Sequence, residues 1–113
     1  MNFTIENTNN IVVFKVLDVT LEGKDAAELK SQVLIIAQPD IKALILDLTN
    51  IVIMDSSGLG ALLLAYRQLK DYNIPIILVG VQDFVLNLLE ITKIYGLYQY
   101  YKTSQAAIDS LQK

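Results

Sequence analysis

The chain has 113 residues, a length that suits one domain, and its 53% hydrophobic and 19% charged residues are typical of a globular protein that folds alone. Its net charge is −3 and no basic run occurs, so it lacks the electrostatic footprint of a nucleic-acid-binding protein. Histidine and cysteine are absent, which excludes disulfides, thiol chemistry, imidazole general bases and the usual zinc ligands. We therefore expect a protein that is not an enzyme and needs neither metal nor cofactor.

The start of the chain and its most apolar window both argue against a membrane location. Met1 to Asn10 is largely polar, unlike a signal peptide. The window from Ala43 to Ala65 is interrupted by Asp47 and Asp55, and an aspartate at the centre of a bilayer costs about 2.5 to 3.5 kcal/mol. We expect a cytoplasmic protein that does not insert into membranes.

The first third of the sequence predicts a hairpin followed by a helix. Phe3 to Glu6 and Ile11 to Leu17 have the composition of strands and flank the polar turn Asn7 to Asn10. We expect a loop from Asp18 to Lys24. A helix is then predicted from Asp25 until Pro39 stops it, because a helical period is kept by Ala26, Leu29, Val33, Ile36 and Ala37.

The middle of the chain predicts a strand, a turn and a helix. Ala43 to Leu46 is an apolar run that ends at Asp47, and the shorter run Ile51 to Met54 leads into the segment Asp55 to Gly60. The helix that this segment opens has an apolar face with offsets of 3, 4, 7 and 10 residues, which suits packing on a sheet. The face consists of Leu59, Leu62, Leu63, Tyr66 and Leu69.

The last third continues the alternation of strand and helix. The predicted elements are a strand from Ile74 to Val79, a helix from Gln82 to Ile91, a strand from Ile94 to Tyr101 and a short helix capped by Thr103 and Ser104. In the longer of these helices, Phe84, Leu88 and Ile91 form the predicted apolar face. The alternation throughout the chain predicts an α/β sheet with helical crossovers.

The start of the central helix carries the residues of chemical interest. Asp55, Ser56 and Ser57 are all good N-cap residues, because a short side-chain oxygen accepts a hydrogen bond from a free N–H of the first turn. Gly58 and Gly60 each cost about 1 kcal/mol relative to alanine inside a helix, and less near its end. A bare helix start lets another backbone come close, and a first-turn hydroxyl lies where N–H groups favour an added anion. These features predict a docking surface with a phosphorylation site.

The segment from Asp55 to Gly60, with the sequence D-S-S-G-L-G after an apolar strand that ends in aspartate, resembles the signature of STAS domains, specifically of bacterial anti-sigma factor antagonists. The resemblance is specific at this motif, looser elsewhere, and runs from the first strand to the last helix. It implies a single STAS-like domain over residues 1–113. The implied α/β fold has a mixed, mostly parallel sheet, an N-terminal antiparallel strand and helices largely on one side.

The resemblance also implies a function and its site. In anti-sigma factor antagonists, the serine directly after the motif aspartate is phosphorylated by a partner kinase that is itself the anti-sigma factor; that position matches Ser56, with Ser57 as the second candidate. The unphosphorylated form would capture this serine kinase and release a sigma factor, and a serine phosphatase is a further expected partner. The residues expected to bind the partner are Asp55, Ser57, Gly58, Gly60 and Leu64.

Leu64 is included because the helical period puts it with Ser57, Gly60 and Gln68 on the face opposite the apolar stripe. A single exposed leucine is ordinary. Beside Gly60, however, it is suited to anchor a partner.

Other observations leave alternatives open. Many antagonists carry a G-E-x-D-like segment where this chain has Val19-Thr20-Leu21-Glu22, so part of the expected contact surface is altered. Asp47 matches an acidic or amide position of the family, although a turn-forming aspartate explains it as well. The alternative function is a STAS adaptor subunit that binds the ATPase of an ABC transporter without phosphate control. The oligomeric state stays open.

Overall fold

The structure, a computed structural model, describes residues 1–112. Within this range the strands are β1 (Phe3–Thr8), β2 (Ile11–Val16), β3 (Thr20–Leu21), β4 (Ala43–Asp47), β5 (Ile53–Met54), β6 (Ile76–Val79) and β7 (Gln99–Tyr101). The α-helices are α1 (Gly23–Ile36), α2 (Ser56–Leu69), α3 (Asp83–Ile91) and α4 (Ser104–Leu111). No helix among the described residues has the length and apolar content needed to cross a membrane.

Five of the strands form one mixed sheet in the order β1-β2-β4-β6-β7. β1 pairs with β2 antiparallel, and the other neighbours are parallel, with Val12 opposite Leu44 and Leu44 opposite Ile76. Helices connect the parallel strands because parallel pairing needs a long crossover. The predicted α/β fold, with a mostly parallel sheet and an N-terminal antiparallel strand, is confirmed.

The turn between β1 and β2 explains why the chain begins with an antiparallel pair. Asn9 and Asn10 both have positive φ, at 52° and 67°. Two such residues in a two-residue loop form the kind of turn whose twist matches that of a hairpin, and asparagine tolerates this conformation. The Asn7 side chain accepts a hydrogen bond from the Asn10 N–H at 3.0 Å. The predicted hairpin is therefore confirmed, with Phe3 opposite Val16.

Different helices cover the two faces of the sheet. One face packs against α1, α2 and α3 in the larger core, where Phe14, Leu44 and Leu78 are fully buried. The other face packs against α4 through a smaller cluster of buried residues, which are Ile11, Ile45, Ile77, Val79 and Ala107. Because the central strands are covered on both faces, β4 and β6 are almost entirely apolar. The helices thus lie largely on one side, as expected.

The third helix is rotated relative to the sequence-based prediction. Val85 and Leu89 are fully buried, whereas Phe84 and Ile91 are 51% and 77% exposed. Since this helix is apolar nearly all round, several of its faces fit a helical period, and contact with the rest of the core selects one of them. The predicted face is therefore wrong for Phe84 and Ile91, whereas Leu88 is half-buried and packs against the larger core.

Two further boundaries differ from the predictions. The predicted strand from Ile94 to Tyr101 is wrong over its first half, because Tyr95–Leu97 forms a 3₁₀ turn and only Gln99–Tyr101 pairs with β6. Tyrosine-rich composition favours a strand, but the glycine within this segment allows the turn. The predicted loop from Asp18 to Lys24 is partly regular, since it contains β3 and the start of α1.

Tyr98 places an unpaired polar group in the larger core. Its side chain is 6% exposed, and its ring lies edge-on to that of Tyr66 with the ring centroids 6.4 Å apart. The hydroxyl is buried and has no hydrogen-bond partner among residues 1–112. Burial raises the pKa of Tyr98, so the phenol stays neutral at physiological pH.

We expect Tyr98→Phe to leave the free energy of unfolding unchanged or to raise it by up to about 1 kcal/mol, because the hydroxyl is desolvated without gaining a bond. Urea denaturation followed by circular dichroism measures the change. Tyr98→Ala is the control, and its free energy of unfolding should fall by about 3 to 5 kcal/mol because the buried ring is removed. A loss of more than about 1 kcal/mol in Tyr98→Phe would mean that the hydroxyl is bonded after all.

Candidate functional site

Asp55 begins α2 as its N-cap. Its backbone is extended, with φ −103° and ψ −172°, and its carboxylate accepts a hydrogen bond from the Gly58 N–H at 3.1 Å. The Leu59 N–H then donates to the Asp55 carbonyl at 3.2 Å. The capping prediction is therefore confirmed for Asp55, while Ser56 and Ser57 lie in the first turn of the helix.

The two serines differ in exposure. Ser56 is exposed and Ser57 is half-buried. Their backbone N–H groups belong to the first turn, whose N–H groups have no partner within a helix. The helix dipole adds partial positive charge at the same place. A phosphate on Ser56 would therefore lie where a helix best accepts negative charge.

Gly58 lies against the backbone of the same chain. A Cβ at this position would be 2.7 Å from the Leu21 carbonyl oxygen and 3.2 Å from the Met54 Cβ. A side chain at Gly58 would therefore force α2 away from β3 and β5. The backbone that comes close at this glycine is the chain's own. Contact between Gly58, which is buried, and a partner stays a prediction.

Gly60 and Leu64 lie closer to α1 than the helical period suggested. A Cβ on Gly60 would be 3.3 Å from the Lys30 ammonium of α1. Leu64 is half-buried and packs against the larger core. The expectation that this face points away from the core is wrong, because α1 packs along α2. Leu64 is therefore not an isolated exposed leucine, and its contact with a partner stays a prediction.

Three exposed apolar side chains border the start of α2, and we call them the apolar patch: Val19, Val52 and Ile53. They are 60%, 46% and 44% exposed. The backbone holds them together, since the Val52 N–H donates to the Val19 carbonyl at 2.7 Å and β3 pairs with β5. Ile53 is two residues before Asp55. Ser56, also exposed, follows Ile53 by three residues.

The apolar patch is not predicted by the sequence pattern. Within the apolar run from Ile51 to Met54, the two end residues are buried while Val52 and Ile53 are exposed. All four residues are apolar, and a run this short has no period from which its exposed residues could be predicted. The one sequence feature that points to the patch is Val19, an apolar residue in the segment that departs from the family pattern.

Asp47 fixes the loops at the carboxyl end of β4. Asp47 is 7% exposed. Its carboxylate accepts hydrogen bonds from the Thr49 N–H at 3.0 Å and from the Thr49 hydroxyl. It also accepts one from the Ser104 hydroxyl at 3.1 Å. The Gln82 side chain donates to the Thr49 carbonyl at 2.7 Å. The turn-forming role is therefore confirmed. The contact with Ser104 joins residues 57 positions apart, which no local pattern could predict.

Comparison with known proteins identifies the family. The family model described as STAS domain matches residues 2–107, which is most of the chain. The match includes the hairpin, the helix start at Ser56 and the apolar patch.

Solved structures have the same fold at low sequence identity. An anti-sigma-factor antagonist (STAS) domain protein from Planctomyces limnophilus is 18% identical, with a TM-score of 0.87 over 98% of each chain. The Bacillus cell fate determinant SpoIIAA, in its phosphorylated form, is 21% identical, with a TM-score of 0.78 over 97% of this chain and 99% of that chain. Murine solute carrier 26 family member A9, an anion transporter, is 16% identical, with a TM-score of 0.78 over 95% of this chain but 18% of the transporter. At these identities the likeness shows the fold alone.

Gly58→Ala and Gly60→Ala form a matched pair, because each adds one methyl group near the start of α2. We expect Gly58→Ala to lower the free energy of unfolding by about 1 to 3 kcal/mol, since the new Cβ overlaps the Leu21 carbonyl. Gly60→Ala meets only the flexible end of Lys30, so stability should stay unchanged or rise by up to about 1 kcal/mol through helix propensity. Urea denaturation measures both. Equal effects at the two positions would contradict the close approach of Gly58 to β3.

Proposed function

The chain belongs to the STAS domain family, and we propose that it is an anti-sigma factor antagonist controlled by phosphorylation. Its unphosphorylated form captures an anti-sigma factor that is also a serine kinase, and so releases a sigma factor. Phosphate on Ser56 ends the capture, and a serine phosphatase restores the binding form. The protein acts in the cytoplasm by binding rather than by catalysis. The observation that carries this proposal is an exposed Ser56 directly after a capping aspartate and three residues after Ile53 of the apolar patch.

Exposure supports Ser56 over Ser57 as the phosphorylated residue. A kinase must take the hydroxyl into its own active site, and the exposed Ser56 allows this more readily than the half-buried Ser57. The family resemblance favours the same position. The existence of a phosphorylated form of Bacillus SpoIIAA, a protein of this fold, adds further support.

The folded state should tolerate the phosphate. A phosphoserine carries about −1.5 to −2 charges at neutral pH. At the first turn of α2, the unpaired N–H groups and the helix dipole offset part of that charge. Asp55 already caps the helix through Gly58, so modification of Ser56 removes no hydrogen bond that the helix start uses. The effect of phosphate is thus expected on binding rather than on folding.

The apolar patch explains why the phosphate would end binding. A partner that covers Val19, Val52 and Ile53 also removes water from the neighbouring helix start. Burying a dianion beside the Asp55 carboxylate without a paired cation costs several kcal/mol. Each 1.4 kcal/mol weakens binding tenfold. One surface would therefore bind its partner in one state and reject it in the other.

We expect phosphate on the peptide that contains Ser56, with an occupancy that differs between growth and stress. Peptide-resolved mass spectrometry on the protein isolated from its own cells measures this, with Ser56→Ala and Ser57→Ala as the matched pair of variants. The phosphate should disappear in the first and persist in the second. Phosphate lost only in Ser57→Ala would assign the phosphorylation to Ser57 instead of Ser56. No phosphate under any condition would contradict the switch and favour the ABC-transporter adaptor, which needs none.

We expect Ile53→Lys to weaken binding of the captured kinase at least tenfold, because a buried interface position would receive an unpaired charge, at a cost of about 2 kcal/mol or more. Isothermal titration calorimetry with the purified kinase measures the affinity. Ile35→Lys is the control, since Ile35 is 66% exposed on α1 and lies outside the patch. Both variants should unfold at the same urea concentration as the parent protein. Equal affinities of the two variants would exclude the apolar patch from the interface.

A further inference from the structure

A cleft of about 250 Å³ opens at the carboxyl ends of β6 and β7. It lies between these strands, α3 and the 3₁₀ turn Tyr95–Leu97. The side chains that matter for its chemistry are those of Val81, Leu86, Tyr95, Tyr100 and Lys102. None of its lining residues belongs to the start of α2 or to the apolar patch, so it is separate from the proposed phosphorylation site.

The aromatic wall of the cleft is held rigidly. The rings of Tyr95 and Tyr100 stack with their centroids 4.3 Å apart and 9° between their planes. The Tyr100 hydroxyl donates a hydrogen bond to the Tyr95 carbonyl at 2.7 Å. Burial, and then the nearby Tyr95 and Glu90, raise the pKa of Tyr100, so the phenol keeps its proton and this bond. The wall therefore presents a fixed apolar surface.

The floor of the cleft is fixed by backbone contacts. Gly80 follows β6 with φ 68°, and its N–H donates to the Tyr101 carbonyl at 3.0 Å. A Cβ on Gly80 would be 2.9 Å from the Thr49 Cα, so glycine is required there. The cleft is thus preformed, and a ligand would not have to order it.

Lys102 is the charged residue among those that line the cleft within residues 1–112. Its side chain is exposed at the rim, and none of the ion pairs among the described residues includes it. An apolar pocket with one unpaired cation at its mouth favours a ligand with an apolar body and one negative charge. Ligand pockets for drug-sized molecules are usually larger, so this one suits a ligand of about ten to fifteen non-hydrogen atoms.

We propose that this cleft binds a small monocarboxylate, either an aryl acid or a short acyl chain, with its apolar body against Val81, Leu86 and the tyrosine pair and its carboxylate paired with Lys102. This ligand site is independent of the proposed phosphorylation of Ser56.

Backbone amide NMR of the ¹⁵N-labelled full chain, titrated with 2-naphthoate and separately with octanoate, tests the proposal. We expect saturable shifts that cluster at Gly80, Val81, Leu86 and Lys102 with a sub-millimolar Kd for at least one acid. Tighter binding of naphthoate identifies the aryl class, and tighter binding of octanoate the acyl class. Shifts that do not saturate, or that cluster elsewhere, would overturn the proposal.

The role of Lys102 is tested with a neutral ligand and a variant. 2-Naphthalenemethanol has the same aryl body as naphthoate without its charge. Lys102→Met should weaken binding of the preferred acid about three- to fivefold, as expected for an exposed ion pair, and leave the alcohol unaffected. Lys70→Met is the control, because Lys70 is exposed at the end of α2, away from the cleft. If Lys102→Met binds the acid as tightly as the parent protein does, the proposed pairing of the ligand's carboxylate with Lys102 is wrong.

Discussion

The position of the candidate site depends on the contact between Gly58 and the Leu21 carbonyl. Because no Cβ stands between them, the first turn of α2 lies directly on the ribbon formed by β3 and β5. Ile53 in β5, Val19 directly before β3 and Ser56 in the first turn of α2 are all exposed. A larger residue at Gly58 would separate the modifiable hydroxyl from the apolar surface. The glycine thus holds the start of α2 against β3 and β5, the arrangement on which the proposed function depends.

The loops around this contact are held by the sheet. Asp47 binds Thr49 within its own turn and Ser104 at the start of α4, while Gln82 binds the Thr49 carbonyl from the start of α3. The segments that follow β4, β6 and β7 are therefore linked at the carboxyl ends of these strands. A rigid scaffold that positions variable loops is the usual basis of a binding surface. The same hydrogen bonds fix Thr49, against which Gly80 packs closely. Because Gly80 lines the separate cleft beside β7, these bonds also shape that cleft.

Local patterns in the sequence predicted which helices and strands form more successfully than which side of each helix is buried. The apolar runs of β4 and β6, the asparagine turn and the Asp55 cap each depend on neighbouring residues, and each was found. The face of α3 and the environment of Leu64 depend on packing against distant elements, and both predictions were wrong. The motif at Ser56 was visible because its residues are contiguous. The apolar patch was not, because Val19 and Val52 meet only through folding.

In the proposed switch, one residue at the start of α2 stabilises the helix and a different residue is phosphorylated. An N-cap side chain contributes about 1 kcal/mol through its bond to the first turn, and here Asp55 supplies it. If the modified serine were itself the cap, a phosphate would replace that bond and change the stability of the helix together with its charge. Ser56 comes one residue later, and its hydroxyl makes no described hydrogen bond to the protein. In the proposed switch, the negative Asp55 carboxylate would add to the charge of a phosphate on Ser56. The residue that stabilises the helix would therefore also make the phosphorylated surface harder for a partner to desolvate.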